Sequence, residues 1–156
     1  MDHCIICQRG RAEDPLIVYE DDNWIVRHSR ETNILGYLLI ESRRHFLDLS
    51  ESTDDESLAI GPLLKRVTAA IKSVVQPERV YTVTLAETVP HCHIHVIPRD
   101  QSTPRAYRGR GILAYPLQPG PSEHLAHEVC TALRRRLRNS MTSYRGKAAM
   151  GKVAGK

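Results

Sequence analysis

A chain of 156 residues with 41% apolar side chains is long enough to bury one core and too short for two full-sized ones, so a single globular unit is expected. No stretch reaches the ~20 apolar residues of a membrane span, and Met1 to Cys4 show no basic start followed by an apolar run. This reading excludes a membrane partner and points to a soluble, cytoplasmic protein whose four cysteines are reduced thiols rather than a disulfide framework. The formal charge of +4 sits largely in Arg134, Arg135, Arg136, Arg138, Lys147, Lys152 and Lys156, as a solvated face and a loose tail would place it, and gives nucleic-acid binding little support.

Cys4 and Cys7 open the chain with a Cys-x-x-Cys spacing, which suits either a metal site or a redox pair; no βαβ pattern surrounds it to favour the redox reading. Leu16 to Tyr19 and Trp24 to Val26 are strand-forming runs separated by the turn composition Glu20-Asp21-Asp22-Asn23, which predicts a hairpin. Tyr37 to Ile40, after Gly36, is a third strand, its continuous apolar character predicting burial on both faces. Thr53 and Glu56 fit a capping box ahead of Ile60, Leu63, Leu64, Val67, Ala70, Ile71 and Val74, which predicts a long amphipathic helix ending at Gln76-Pro77.

Strand composition returns at Val80 to Leu85 and at His93 to Ile97, with Pro98 expected to end the second run. The stretch from Asp100 to Pro121, rich in Pro, Gly and Arg, is expected to wrap over the surface or across a subunit interface. A second helix is expected from Ser122, with Leu125, Val129, Leu133 and Leu137 at four-residue steps. The fold class is then α+β: an antiparallel sheet carrying a long packed helix and a second, C-terminal helix. The domain is expected to cover residues 1–139, leaving 140–156 as a basic, disordered tail.

The chemistry concentrates in His91-Cys92-His93-Ile94-His95. On a strand these side chains alternate, so three imidazoles line one face while Cys92, Ile94 and Val96 take the other. Such a row serves two chemistries, and spacing does not separate them. In one, a neutral imidazole is a nucleophile and its neighbours donate to phosphate oxygens; in the other, the row ligates a catalytic zinc that activates water.

The pattern His-φ-His-φ-His-φ-φ, with φ apolar, resembles the hallmark of the histidine-triad family, and His91 to Ile97 match it at every position. Thr88-Val89-Pro90, Ile97-Pro98-Arg99, the upstream Cys-x-x-Cys, Val18-Tyr19-Glu20-Asp21, Gly36 and Arg43-Arg44-His45 extend the resemblance to bacterial members. The resemblance implies a nucleotide hydrolase or nucleotidyl transferase in which His93 forms a covalent nucleotidyl intermediate. It further implies that His95 contacts the α-phosphate, that Thr88 binds near the leaving-group atom, and that the protein is a two-fold homodimer. The chain departs from the family at Ala86-Glu87, where Gly-Gln is usual, which brings Glu87 into the reacting region. It departs again after the second strand, where Arg27-His28-Ser29-Arg30 replaces a ribose-binding acid and leaves His28 and Ser29 as candidate nucleotide contacts. A binding or regulatory module without turnover is the alternative that these departures raise.

Relatives that bind zinc do so with a Cys pair, a distant histidine and the first triad histidine. On that resemblance Cys4, Cys7, His45 and His91 hold a structural Zn2+. Cys92 and Cys130 are expected in the core.

Overall fold

The computed structural model describes residues 4–9, 14–116 and 123–151. In chain order it contains the helical turn α1 (Ile5–Gln8), strands β1 (Ile17–Glu20), β2 (Trp24–His28) and β3 (Leu38–Ser42), helix α2 (Asp54–Val74), strands β4 (Arg79–Val83) and β5 (His93–Arg99), and helix α3 (Glu123–Gly151). The strands form one antiparallel sheet in the order β1-β2-β3-β5-β4, the α+β arrangement expected.

The hairpin between β1 and β2 closes because Asp21 accepts from the amides of Asn23 and Trp24, at 2.9 and 2.8 Å, a local side-chain turn that aspartate favours. Helix α2 starts at the predicted capping box, in which the Thr53 hydroxyl accepts from the Glu56 amide and the Glu56 carboxylate accepts from the Thr53 amide. Pro62 lies inside this helix and cannot donate to the Leu58 carbonyl; Leu58 is 74% exposed, so water can satisfy that acceptor.

The pleat divides the sheet into two faces. Trp24, Val26, Leu38, Ile40, Cys92, Ile94 and Val96 join Ile60, Leu63, Val67 and Ile71 of α2 and Cys130, Leu133 and Leu137 of α3 in the core. The opposite face carries Arg27, Glu41, His93 and His95. Gly36, just before β3, has φ +77°, and a Cβ there would meet Val75 Cγ2 at 2.6 Å. Both the backbone conformation and the close approach of α2 therefore require glycine.

Two expectations change. Strand β5 continues through Pro98 to Arg99. Cys92 turns its amide and carbonyl toward the β3 side, and alternation puts the imide nitrogen of Pro98 on that side too, beyond the last β3 partner at Val96; no ladder bond is lost. Helix α3 buries Ala126, Cys130, Leu133 and Leu137, while Leu125 is 38% exposed. A strict four-residue step drifts off a face that repeats every 3.6 residues. Helix α3 is continuous to Gly151; residues 152–156 lie outside the described residues. Among the described residues, no helix is long and apolar enough to cross a membrane.

Candidate active site and metal centre

Strand β5 enters the site from the loop at residues 84–92. His91 stands at its threshold and His93 and His95 on the strand. His93 is buried, and its Nδ1 lies 2.7 Å from the His91 carbonyl oxygen. A carbonyl only accepts, so Nδ1 carries the proton and Nε2 keeps the lone pair. The backbone of the first triad residue thus sets the tautomer of the second.

His95 lies beside it, ring centroids 4.8 Å apart. Burial, with a smaller contribution from His93, pushes its pKa down to about 4, so it is neutral at physiological pH. Its Nδ1 is 2.8 Å from the Tyr37 hydroxyl. Burial, with the Glu31 charge second, pushes the Tyr37 pKa up to about 12. The phenol keeps its proton, and when it donates to Nδ1 the remaining proton of His95 lies on Nε2. A lone pair on His93 and an N–H on His95 then stand side by side.

Both histidines line a cavity of about 450 Å³, within the range of small-molecule sites. Thr88 and Glu87, on the loop before β5, line it as expected, as does Ser29. His28 does not. It is buried with Nδ1 donating to the Ser29 carbonyl at 2.7 Å and Nε2 accepting from the Gly36 amide at 2.9 Å, and burial lowers its pKa. A neutral ring with both nitrogens engaged holds the turn before β3 rather than a ligand. Arg27, beside it on β2, is likewise engaged, with Glu41 at 2.7 Å and Asp14 at 2.9 Å.

Tyr37, Glu41 and Arg9 also line the cavity and were not anticipated. Glu41 is 1% exposed and is the cross-strand partner of His93. Its sequence signal is a lone acid directly after the apolar run Leu38-Leu39-Ile40, with an arginine on the preceding strand. From the segment after β5, two short 3-10 turns, Arg105–Tyr107 and Gly109–Ala114, bring Ile112, Leu113 and Tyr115 to the cavity. Arg108 holds this segment together by donating to the carbonyls of Thr103 and Gln101, while Arg105 and Arg110 are exposed.

At the threshold of β5, Cys4, Cys7, His45 and His91 place one ligand atom each within 4.8 Å of one another. His45 Nδ1 and His91 Nδ1 are 3.2 Å apart, and His91 Nδ1 stands 3.4 and 3.6 Å from the sulfurs of Cys4 and Cys7. Tetrahedral zinc, about 2.0–2.1 Å from nitrogen and about 2.3 Å from sulfur, spaces such pairs about 3.3–3.6 Å apart. His91 Nε2 donates to the Ser42 carbonyl at 2.8 Å, so its Nδ1 lone pair faces the cluster. Donor types, spacing and tautomer all fit a four-coordinate metal. The row of three histidines is therefore divided. Among the described residues, this cluster is the one group of three or more such side chains with metal-binding spacing, and His93 and His95 are not in it.

The comparisons with known proteins agree with this fold. The profile of the HIT domain matches residues 11–102, and the chain belongs to that family, the histidine-triad proteins, which in general bind nucleotides as hydrolases or transferases. A hypothetical histidine triad nucleotide-binding protein from Sulfolobus tokodaii superposes with a TM-score of 0.68 at 19% identity, over 87% of this chain and 93% of its own. A zinc-bound histidine triad family protein from Mycobacterium smegmatis gives 0.67 at 18% identity, over 91% and 98%. A HIT family protein from Bacillus anthracis gives 0.58 at 25% identity, over 65% and 76%.

Proposed function

We propose that this protein is a nucleotide hydrolase or nucleotidyl transferase acting at the α-phosphate, with His93 as nucleophile. The observation that carries the reading is the 2.7 Å contact from His93 Nδ1 to the His91 carbonyl. It leaves the Nε2 lone pair in a cavity of nucleotide size, and the same carbonyl stabilises the positive charge that the ring acquires on attack. In the first step a P–N bond forms at His93 Nε2 as the bond from phosphorus to the leaving group breaks. The His95 Nε2–H donates to a phosphate oxygen, and Thr88 binds the departing atom. In the second step water, phosphate or another acceptor attacks the same phosphorus and restores His93.

Cys4, Cys7, His45 and His91 are proposed to hold one structural zinc. Bound there, the metal ties the N-terminal turn to the start of β5 and fixes the strand that carries His93. The family resemblance adds a homodimer, which light scattering on the purified protein checks.

The decisive experiment incubates the protein with a panel of nucleoside phosphoramidates, dinucleoside polyphosphates and nucleotide sugars and follows products and adducts by mass spectrometry. A nucleotide mass increment localised to His93 is the expected result. Full turnover by His93→Ala would refute the assignment, and binding without turnover across the panel would make the protein a regulatory module.

A further inference from the structure

Binding a phosphate group calls for positive charge, and the cavity supplies little. Among the described residues that line it, Arg9 is the one lysine or arginine, in a lining that also includes Glu31, Glu41 and Glu87. The buried cation nearby, Arg27, is already engaged by Glu41 and Asp14. Arg9 donates from Nη1 to Glu41 Oε1 at 3.1 Å, and its side chain keeps 35% of its surface accessible. A guanidinium carries five N–H donors, and among the described residues one of them is engaged, by Glu41. Donors therefore remain for a ligand in the cavity.

Its position in the chain is as informative as its charge. Arg9 follows α1 directly, two residues after Cys7, so the turn that brings Cys4 and Cys7 to His45 and His91 also sets where Arg9 stands. From there it reaches Glu41, the cross-strand partner of His93.

We propose that Arg9 binds phosphate oxygens of the nucleotide, and that the metal-ligand turn, by placing Arg9, makes nucleotide affinity depend on the Cys4/Cys7/His45/His91 cluster. The proposal rests on the reading of this cavity as a nucleotide site. Losing Arg9 removes the cation and leaves Glu41 facing the ligand with Arg27 alone. Arg9 is thus a binding residue whose loss acts on KM rather than on kcat.

The test is calorimetric titration of zinc-loaded wild type, Arg9→Ala, Arg9→Lys and the double variant Arg9→Ala/Glu41→Gln with ADP and with adenosine, with zinc content measured in parallel. A charge-assisted contact predicts that Arg9→Ala weakens ADP binding about tenfold or more. Adenosine affinity and zinc content stay unchanged, Arg9→Lys restores most of the loss, and the double variant recovers part of it by removing the repelling carboxylate. For the coupling, Cys7→Ser is expected to lose zinc and to bind ADP as weakly as Arg9→Ala, with no further loss when the two are combined. Should Cys7→Ser lose the native circular-dichroism signal, wild type stripped by chelator gives the same comparison.

Equal ADP affinity in wild type and Arg9→Ala overturns the proposal while leaving the nucleotide site intact. An equal loss for ADP and adenosine, in Arg9→Ala or in the metal-free protein, overturns it too, because it marks a packing role. Metal-free protein that binds ADP as tightly as wild type refutes the coupling. Wild type that binds neither ADP nor adenosine sinks the nucleotide reading itself, and this inference with it.

Discussion

On the helix side of the sheet, Trp24, Val26, Leu38, Ile40, Ile94 and Val96 are buried against α2 and α3. On the other side Arg27, Glu41 and His93 are buried just as deeply, at 5%, 1% and 8% exposure, beneath turns and loops. The first face is held by apolar area, which is non-directional and tolerates exchange of one hydrophobe for another. The second is held by paired charges and oriented hydrogen bonds: Glu41 between Arg27 and Arg9, His93 on the His91 carbonyl, His95 on Tyr37. Such groups are costly to leave unpaired, and each fixes a tautomer or a charge that chemistry needs. On the proposed function one face of the sheet serves stability and the other reactivity, so lesions in the two should separate in measurement.

The largest expected effect is on the reactive face. His93→Ala removes the proposed nucleophile, and turnover should fall at least about 10³-fold while the melting temperature stays within a few degrees of wild type. Leu63→Ala is the mirror experiment. Leu63 is fully buried in the core, and its truncation should cost about 2–5 kcal/mol of stability, read from denaturant unfolding, with kcat of the folded fraction near wild type. A His93→Ala protein as unstable as Leu63→Ala would erase the distinction between the faces.

The same division governs what is legible in the amino-acid sequence. Apolar periodicity locates the helix side: the sheet strands and the capping box of α2 follow from burial and local hydrogen bonding, which leave a repeating signature. It falls short at the start of α3, where a four-residue step points to Leu125, which is exposed, while the helix turns Ala126 and Cys130 inward. On the reactive face the motif alone locates His93 and His95, and pocket members from other elements leave no periodic mark. Tyr37 reads as one more strand residue until β3 pairs with β5 and sets its hydroxyl on His95. Glu41 looks like a strand-end acid until Arg27 and Arg9 close on it. His28 misleads for the opposite reason: a histidine beside a serine after a strand looks available, and only the fold reveals that the Gly36 amide and the Ser29 carbonyl hold both its nitrogens.

A smaller, graded effect separates the two kinds of burial by pH. In the unfolded chain His95 takes up a proton near pH 6.5, whereas in the fold burial and His93 hold its pKa down at about 4. Between those values the unfolded state binds more protons than the native one, so stability rises with pH and is lost as the pH falls from about 6.5 toward 4. Burial depresses His28 as well, and it adds in the same direction. Urea unfolding at pH 7 and pH 5 should show lower stability at pH 5, and His95→Asn should flatten the dependence. An unchanged slope in that variant would mean that His95 is not the group titrating.

The smallest expected effect tests whether orientation, and not only residue type, matters on the reactive face. Tyr37→Phe keeps the ring, which packs edge-on against His95 at 5.9 Å, and removes only the hydroxyl that donates to Nδ1. A net hydrogen bond is worth about 1 kcal/mol, which corresponds to about fivefold in kcat if the bond acts in the transition state. Without the phenol the Nδ1–H tautomer of His95 becomes accessible, and in that tautomer Nε2 has no proton to give to the phosphate oxygen. kcat should therefore fall with KM and melting temperature nearly unchanged, and nitrogen-15 shifts of the His95 ring should move from one dominant tautomer toward a mixture. A loss of stability with no change in the ring tautomer would instead place Tyr37 with Leu63, among the residues that hold the fold rather than aim it.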